Sequence, residues 1–560
     1  MEKLHIYLRG YKEHLLDWFL VAIIALQPIF DAVTYFVMRA NLPNQISIMR
    51  MVLLLLFGLF VFLEGKAERK VRVATAILTA VILLFVAARY FLAQALLPGT
   101  GVTEVMNALR VYTCPLLAVW FLCYLKGKPV ERVRYANLGI FIATAVFLTL
   151  SLLSFATSSY HHTYENSYTN GITLGFSGWA YSTNAQSITE IALFLLVLAG
   201  VMRRKPLVYI PLFIAFWLLL YFSATRAAYY SLILIPVALI ILYAVQLALR
   251  TERFPKYVML AMGVFLVLAI ALQPYSFLNI VNSNRENERA LREDYFNRQS
   301  ASATTKKTAK PASVITDKKT ASASVSPTSK ATAKPSVKPT AKASPKPSAT
   351  KKPGQAYVPA AGAPVWDKSF TSNVDLVKFK AEVRERIYGL RTAGRLPQEV
   401  FDRAVYRYAQ QRVKMSAAQI VNERYNQATY VMAFIREAPA GQLLLGYGRT
   451  WFDEAIISVE NDYVAILGYY GIVGCILFIA PFLYILWAAM QKIRIKDLCG
   501  WITSDDVVYG VAFCILLGLA YFAGRVFQQA SVSIYFSFAA ALAAVSIQNV
   551  RQSRLPQKEE

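Results

Sequence analysis

The sequence predicts an all-α polytopic membrane protein of about twelve transmembrane helices with one large extracytoplasmic loop. Three observations carry this. The chain is 56% hydrophobic over 560 residues, with mean hydropathy +0.41, too apolar throughout for a water-soluble chain of that size. It contains repeated apolar runs near the ~20 residues that cross a hydrocarbon core at ~1.5 Å per residue. Every second connection between those runs is rich in Lys and Arg, the pattern that sets orientation in a bilayer.

The twelve runs fall at 15–38, 44–64, 71–97, 104–125, 135–156, 185–202, 206–222, 227–249, 257–274, 462–489, 506–524 and 528–547. The first is too long for a cleaved signal peptide and lacks a small-residue cleavage site, so it is expected to remain as the first span. Lys3, Arg9 and Lys12 precede it. Basic segments then follow in "EGKAERKVR" (64–72), "KGKPVERVR" (126–134), "RRK" (203–205), "RTERFPK" (250–256), "QKIRIK" (491–496) and the tail "NVRQSR". With twelve helices all seven fall on one side. Both termini are thereby predicted cytoplasmic, in a multi-pass protein of the cytoplasmic (plasma) membrane.

The five cysteines, at 114, 123, 475, 499 and 514, lie in predicted helices or, for Cys499, a cytoplasmic loop. No disulfide framework and no C-x-x-C pair is available, and no metal site is expected. His161 and His162 are adjacent; such neighbours do not face one ion from a regular helix or strand, and they read as polar loop residues. No P-loop or dinucleotide fingerprint appears, so no cofactor is expected.

Two membrane blocks, 1–274 and 462–560, flank the large loop. A loop entry spans 275–298. Residues 299–356 are Lys/Ala/Pro/Ser/Thr-rich, with 12 Lys and 1 Asp between 301 and 355. That composition buries too little apolar surface to offset its ordering entropy and predicts a disordered linker. It reads either as a solvated spacer or as a tether to anionic wall polymers or lipid headgroups. Its basic charge faces away from the cytoplasm, so nucleic acid is not an expected partner. Residues 357–461 show helical spacing over 375–390, 397–415 and 417–438 and predict an extracytoplasmic helical cap.

Two constellations carry candidate chemistry. Arg50, Arg226 and Arg525 fall at the outer ends of predicted spans, and Arg89 and Arg110 within the outer parts of theirs, where arginine is costly unless it faces a polar cavity or a partner. Guanidinium suits bidentate phosphate or carboxylate. The five therefore read as a cationic cavity for a phosphorylated lipid; the other reading has each snorkel to headgroups or pair with an acid such as Asp31 or Glu104. The second constellation is "LLLGYGRTWFDEAIISVENDYVAILGYYGIVG" (443–474). Gly446 and Gly448 permit a tight turn, and Glu460, Asn461 and Asp462 open the tenth span. An acid there can serve as general base toward a sugar hydroxyl, or cap the helix.

Both constellations resemble the bacterial O-antigen ligases and polymerases. "FSATRAAYYSLIL" resembles their S-x-S/T-R hairpin, and "GYGRTWF…VENDYVAILGYYGIVG" their G-x-G, His-Asn-x-Tyr-Leu and G-I-I-G series. "LQPIFDAVTYF" (26–36) is similar to the opening helix of ligase-like membrane proteins of Gram-positive bacteria, and "NERYNQATYVMAFIREAPAGQLLLGYG" to the family's loop arginine, helix and G-x-G. The resemblance implies a membrane-embedded, metal-independent glycosyltransferase. Its donor would be an undecaprenyl-pyrophosphate-linked oligosaccharide on the outer face, and its acceptor a glycan hydroxyl. It assigns Arg226 and Arg424 to the pyrophosphate, and Asn461 and Tyr463 to the helix-ten signature. Where ligases carry histidine this chain has Glu460, which makes Glu460 the candidate base and favours a polymerase over a ligase. Asp462 joins the candidate substrate contacts with Arg50, Arg89, Arg110 and Arg525. The alternatives are a ligase to a wall or lipid acceptor, a flippase for the same lipid, and a non-catalytic scaffold binding wall polymers. The two related halves with paired broken helices that transporters often show are not visible.

Overall fold

The computed structural model describes residues 14–43, 45–96, 98–164, 173–180, 182–201, 206–249, 256–277, 279–280, 283, 403, 407–408, 411, 423–455, 459–491 and 493–552. The linker 299–356 and the predicted helix 375–390 lie outside them.

Helices occupy all twelve predicted intervals. They are α1 Leu15–Arg39, α2 Ile46–Glu64, α3 Arg69–Leu96, α4 Gly101–Gly127, α5 Pro129–Ala156, α6 Thr183–Val201, α7 Pro206–Phe222, α8 Arg226–Ala248 and α9 Lys256–Ala271. The short α10 Glu423–Glu437, α11 Ala440–Leu445 and α12 Arg449–Ala455 follow. Then come α13 Asp462–Met490, α14 Ile495–Ile502, α15 Val507–Phe522 and α16 Ala530–Gln552. Among the described residues nine helices are long and apolar enough to cross a bilayer, or ten if α14 and α15, bent by 84°, form one broken span. The apolar part of α7 and the whole of α9 are shorter. The only β-bridge among the described residues is Tyr164 to Leu174. Cys499, expected in a loop, lies in α14.

Burial ranks the helices. The apolar stretch of α16 is 100% buried and that of α4 89%, against 28% for α3, so α16 and α4 form the centre and α3 the rim. Small residues in "SFAAALAAVS" let α16 approach its neighbours closely, and polar side chains join the helices where apolar contact alone gives no preference over lipid. Ser537 donates to the Cys114 carbonyl at 2.7 Å, and Tyr112 to that of Gly474 at 2.8 Å.

The end of the bundle bearing the basic connections 64–72 and 126–134 holds a buried ion network. Arg132 lies 3.5 Å from Asp17 and pairs with Glu64, while Tyr124 donates to Asp17 at 2.6 Å. The opposite end, where α2, α4, α6, α8, α13 and α16 begin, carries every cap and crossing described below; it is called the site end.

The G-x-G signature is a backbone crossing. α13 breaks at Gly471, with φ +67°, a left-handed value that glycine adopts without strain. A Cβ there would lie 2.4 Å from the Leu444 carbonyl oxygen, and one at Gly446 would lie 2.3 Å from that of Tyr469. Tyr447 and Gly448 donate their N–H groups to the carbonyls of Gly468 and Tyr469, beside the break. α11 and α12 are thereby locked to the site end of α13. α10 rests on them, and residues from the predicted 397–415 helix dock on it: Arg407 donates to Glu437 at 2.5 Å, and the Tyr408 ring lies 4.9 Å from that of Tyr430.

Candidate functional site

A cavity of 340 Å³ opens at the site end. Its walls come from the second half of α1, the first turns of α2, the outer part of α4, the end of α5, the start of α6 and the residues just before it, the first residue of α12, and the loop joining α15 to α16 with the start of α16. Four arginines line it: Arg50, Arg110, Arg449 and Arg525. Asp31 is the one acidic residue among the described lining residues. Ser, Thr and Gln side chains supply further polar lining, and Pro28, Met51, Phe147 and Trp179 the apolar part.

Each arginine is placed by a different device. Arg50, 7% exposed, donates to Asp31 Oδ1 at 2.8 Å, and its guanidinium carbon lies 5.5 Å from the Phe30 ring centre. Arg525 has φ +64° and follows Gly524 at φ +67°. For arginine that left-handed backbone is strained, and such residues persist only when the surroundings fix them. The fixing group is Asp462. Its buried carboxylate accepts the N–H groups of Arg525, Val526 and Phe527 at 2.9, 2.6 and 2.9 Å and the Gln528 amide at 2.9 Å. A Cβ at Gly524 would collide with the Glu460 carbonyl at 1.5 Å, so only glycine admits this turn.

Arg449 is set by Glu104. That carboxylate, 1% exposed, accepts Arg449 N–H at 3.2 Å and both the N–H and hydroxyl of Thr450 at 2.9 Å. Its remaining partner is Arg89, at 3.2 Å. Arg89, 2% exposed, also donates to the carbonyls of Leu445 and Tyr469.

The five outer-end arginines thus divide. Arg50, Arg110 and Arg525 share the cavity. Arg89 does not line it; it is neutralised by Glu104 and holds α11 and α13 together, because a guanidinium so deeply buried needs a charge partner and carbonyls. Arg226 is half-buried in the first turn of α8 and is not a lining residue. Its hairpin is tied to α6: Thr225 donates to Ser187 Oγ at 2.7 Å, Ser187 and Ser223 are 2.7 Å apart, and Ala224 takes φ +59°. Ser187 is the neighbour of Gln186, a lining residue, so the hairpin stands directly behind one wall.

The helix-ten residues also fall outside the lining. Asn461 caps α13, accepting the N–H groups of Tyr463 and Val464 at 3.1 Å, and donates to the Tyr521 carbonyl at 3.0 Å. Tyr463 donates to the Leu517 carbonyl at 3.0 Å. Glu460 is half-buried, with its N–H 3.4 Å from the Gln427 amide oxygen of α10. Asp462 is 0% exposed and faces the 525–528 turn rather than the cavity. Arg424 lies in the first turn of α10; its side chain lies outside the described residues. Arg449 and Asp31 were not singled out as site residues from the sequence, although Arg449 stands directly after the G-x-G in "GYGRTWF".

Among the described residues one group of three metal-ligand side chains lies close together: His14, Asp17 and Glu131, at the basic end. Lys128 takes Glu131 at 3.0 Å and Arg132 faces Asp17, so cations of the protein already balance it.

The family described as "O-antigen ligase like membrane protein" matches residues 10–550, from the first helix to the last. The chain belongs to that family. No curated protein and no solved structure matches it. Membership makes this a glycan-transferring multi-pass membrane enzyme. Within that frame, the cavity at the site end is where arginines from four separate elements meet.

Proposed function

We propose that the protein transfers or polymerises an oligosaccharide carried on undecaprenyl pyrophosphate, at the outer face of the cytoplasmic membrane, for a cell-surface polysaccharide. The observation that carries this reading is the meeting of Arg50, Arg110, Arg449 and Arg525 in one 340 Å³ cavity. A departing lipid pyrophosphate needs its developing charge stabilised, and preorganised guanidinium groups do that without reorganisation during the reaction. The donor carries its own free energy, so no nucleotide is required.

The described basic connections at 64–72 and 126–134 lie at the end opposite the cavity, which by the charge rule faces the cytoplasm and turns the site outward. Both termini are then cytoplasmic. Acceptor hydroxyls enter from the side of α10–α12. The family resemblance assigns Arg226, whose hairpin stands behind the α6 wall, and Arg424, in the first turn of α10, to the same pyrophosphate. Asn461, Tyr463 and Asp462 support the site by holding α13 and the 525–528 turn. No separate metal is needed where four guanidinium groups serve the leaving group.

Reconstituted protein should convert undecaprenyl-pyrophosphate-linked oligosaccharide, extracted from its native membranes, into longer glycan with release of undecaprenyl pyrophosphate. Movement of the intact lipid across the bilayer with no new glycosidic bond would replace this reading with a flippase. Deleting 301–355 should leave turnover within about tenfold of wild type, roughly 1.4 kcal/mol of barrier, because that composition supplies neither a fold nor an acid–base group. Complete loss of turnover at normal expression would show that the linker is more than a spacer.

A further inference from the structure

We infer that Asp31 is the catalytic base of the transfer, the residue that accepts the proton of the attacking glycan hydroxyl. The inference rests on the transferase reading above and assigns the acid–base step to a residue of α1. Joining an acceptor hydroxyl to the donor sugar releases one proton. The acceptor oxygen forms its bond to the anomeric carbon, and the bond from that carbon to the phosphate oxygen breaks. The electron pair leaves with the pyrophosphate, which the arginines hold, and the hydroxyl proton passes to a carboxylate and from there to water. A group that does this must be ionised and within hydrogen-bond reach of the hydroxyl.

The buried carboxylates near the site are otherwise engaged. Glu104 accepts four donors and Asp462 four, with side chains 1% and 0% exposed. Glu190, 0% exposed, accepts the Gln186 amide at 3.0 Å and is not a lining residue. Glu460 is not a lining residue either. Asp31 differs in every respect. It lines the cavity with a side chain 30% exposed. Arg50 holds Oδ1 at 2.8 Å, and no donor among the described residues takes Oδ2. The charge-assisted bond fixes the carboxylate. Oδ2 is left as an acceptor in the same cavity as the guanidinium groups that face the leaving group. A base and an anion clamp in one cavity are what a single displacement at the anomeric carbon requires.

The test compares wild type, Asp31→Asn and Asp31→Gly in two assays. Binding is read with farnesyl pyrophosphate, a short polyprenyl pyrophosphate, and turnover with the native lipid-linked oligosaccharide. Asp31→Asn should lose at least a hundredfold in kcat, the lower range for a positioned base. Its affinity for farnesyl pyrophosphate should stay equal or tighten, because a negative charge has left the cavity. Added formate should restore part of the turnover of Asp31→Gly by supplying the missing carboxylate. Turnover of Asp31→Asn within threefold of wild type overturns the assignment. So does joint loss of turnover and farnesyl pyrophosphate binding with no response to formate, which marks Asp31 as a strut for Arg50. A wild type that neither binds farnesyl pyrophosphate nor turns over the lipid-linked oligosaccharide overturns the transferase reading itself, and the assignment with it.

Discussion

Glu104→Ala should destabilise the folded protein by about 3–5 kcal/mol, the cost of leaving one member of a buried ion pair without its partner. Arg89, 2% exposed, would keep only the Leu445 and Tyr469 carbonyls and its place 5.4 Å from the Tyr470 ring centre. The N–H groups of Arg449 and Thr450 would lose their acceptor at the same time. In a chain of 560 residues the loss corresponds to a fall in the unfolding midpoint of about 3–4 °C, read by heating the protein in detergent. Glu104→Ala/Arg89→Met should recover much of it, since removing both charges abolishes the desolvation problem. The pair Lys128–Glu131, with side chains 38% and 37% exposed, is the control: Glu131→Ala should cost no more than about 1 kcal/mol. Equal effects at Glu104 and Glu131 would remove the claim that Arg89 and Glu104 clamp α3, α4, α11 and α13. The same carboxylate positions Arg449, so turnover should fall in Glu104→Ala and stay low in the double variant, which recovers stability without restoring the acceptor of the Arg449 and Thr450 N–H groups.

The helices were legible because a bilayer leaves the backbone few choices: apolar runs near span length must satisfy their hydrogen bonds internally, and all twelve intervals are helical. The G-x-G at Gly446 and Gly448 was legible as a turn. Its physical meaning, the packing of Gly446 against the break at Gly471, was not, because it joins two segments through backbone contacts that no side chain announces. Arginines at outer helix ends were legible as a class. Which of them shares a cavity depends on who neutralises whom. Arg89 meets an acid 15 residues away and carbonyls more than 350 residues away. Arg449 is a loop residue by sequence and enters the cavity only because Glu104 fixes the start of α12. Asp462 looked like a substrate contact because it follows Glu460 and Asn461, yet its helix start turns it toward the 525–528 backbone. Charge sign and depth can be read from a sequence; pairing over hundreds of residues cannot.

Arg525→Ala should lower kcat by about 10²–10³, or 2.7–4 kcal/mol of barrier, the range for loss of one preorganised donor to a developing anion. The preorganisation is visible in the backbone. A non-glycine residue at φ +64° stores strain of about 1–3 kcal/mol, and the four hydrogen bonds accepted by Asp462 hold it there. Strain maintained by a buried carboxylate, at a residue whose side chain lines the cavity, points to positioning of the guanidinium rather than to fold stability. Stability should therefore separate from turnover. Arg525→Gly should unfold at a temperature equal to or above wild type, because glycine adopts the left-handed turn freely, and should be as slow as Arg525→Ala. Arg525→Lys should recover only part of the rate, since an ammonium is a point charge without the planar fork. The measurement is release of undecaprenyl pyrophosphate by each purified variant at saturating lipid-linked oligosaccharide. Wild-type turnover in Arg525→Gly would leave the strained turn without a catalytic purpose. A larger loss in Arg226→Ala than in Arg525→Ala would move the pyrophosphate from the cavity to the hairpin behind α6.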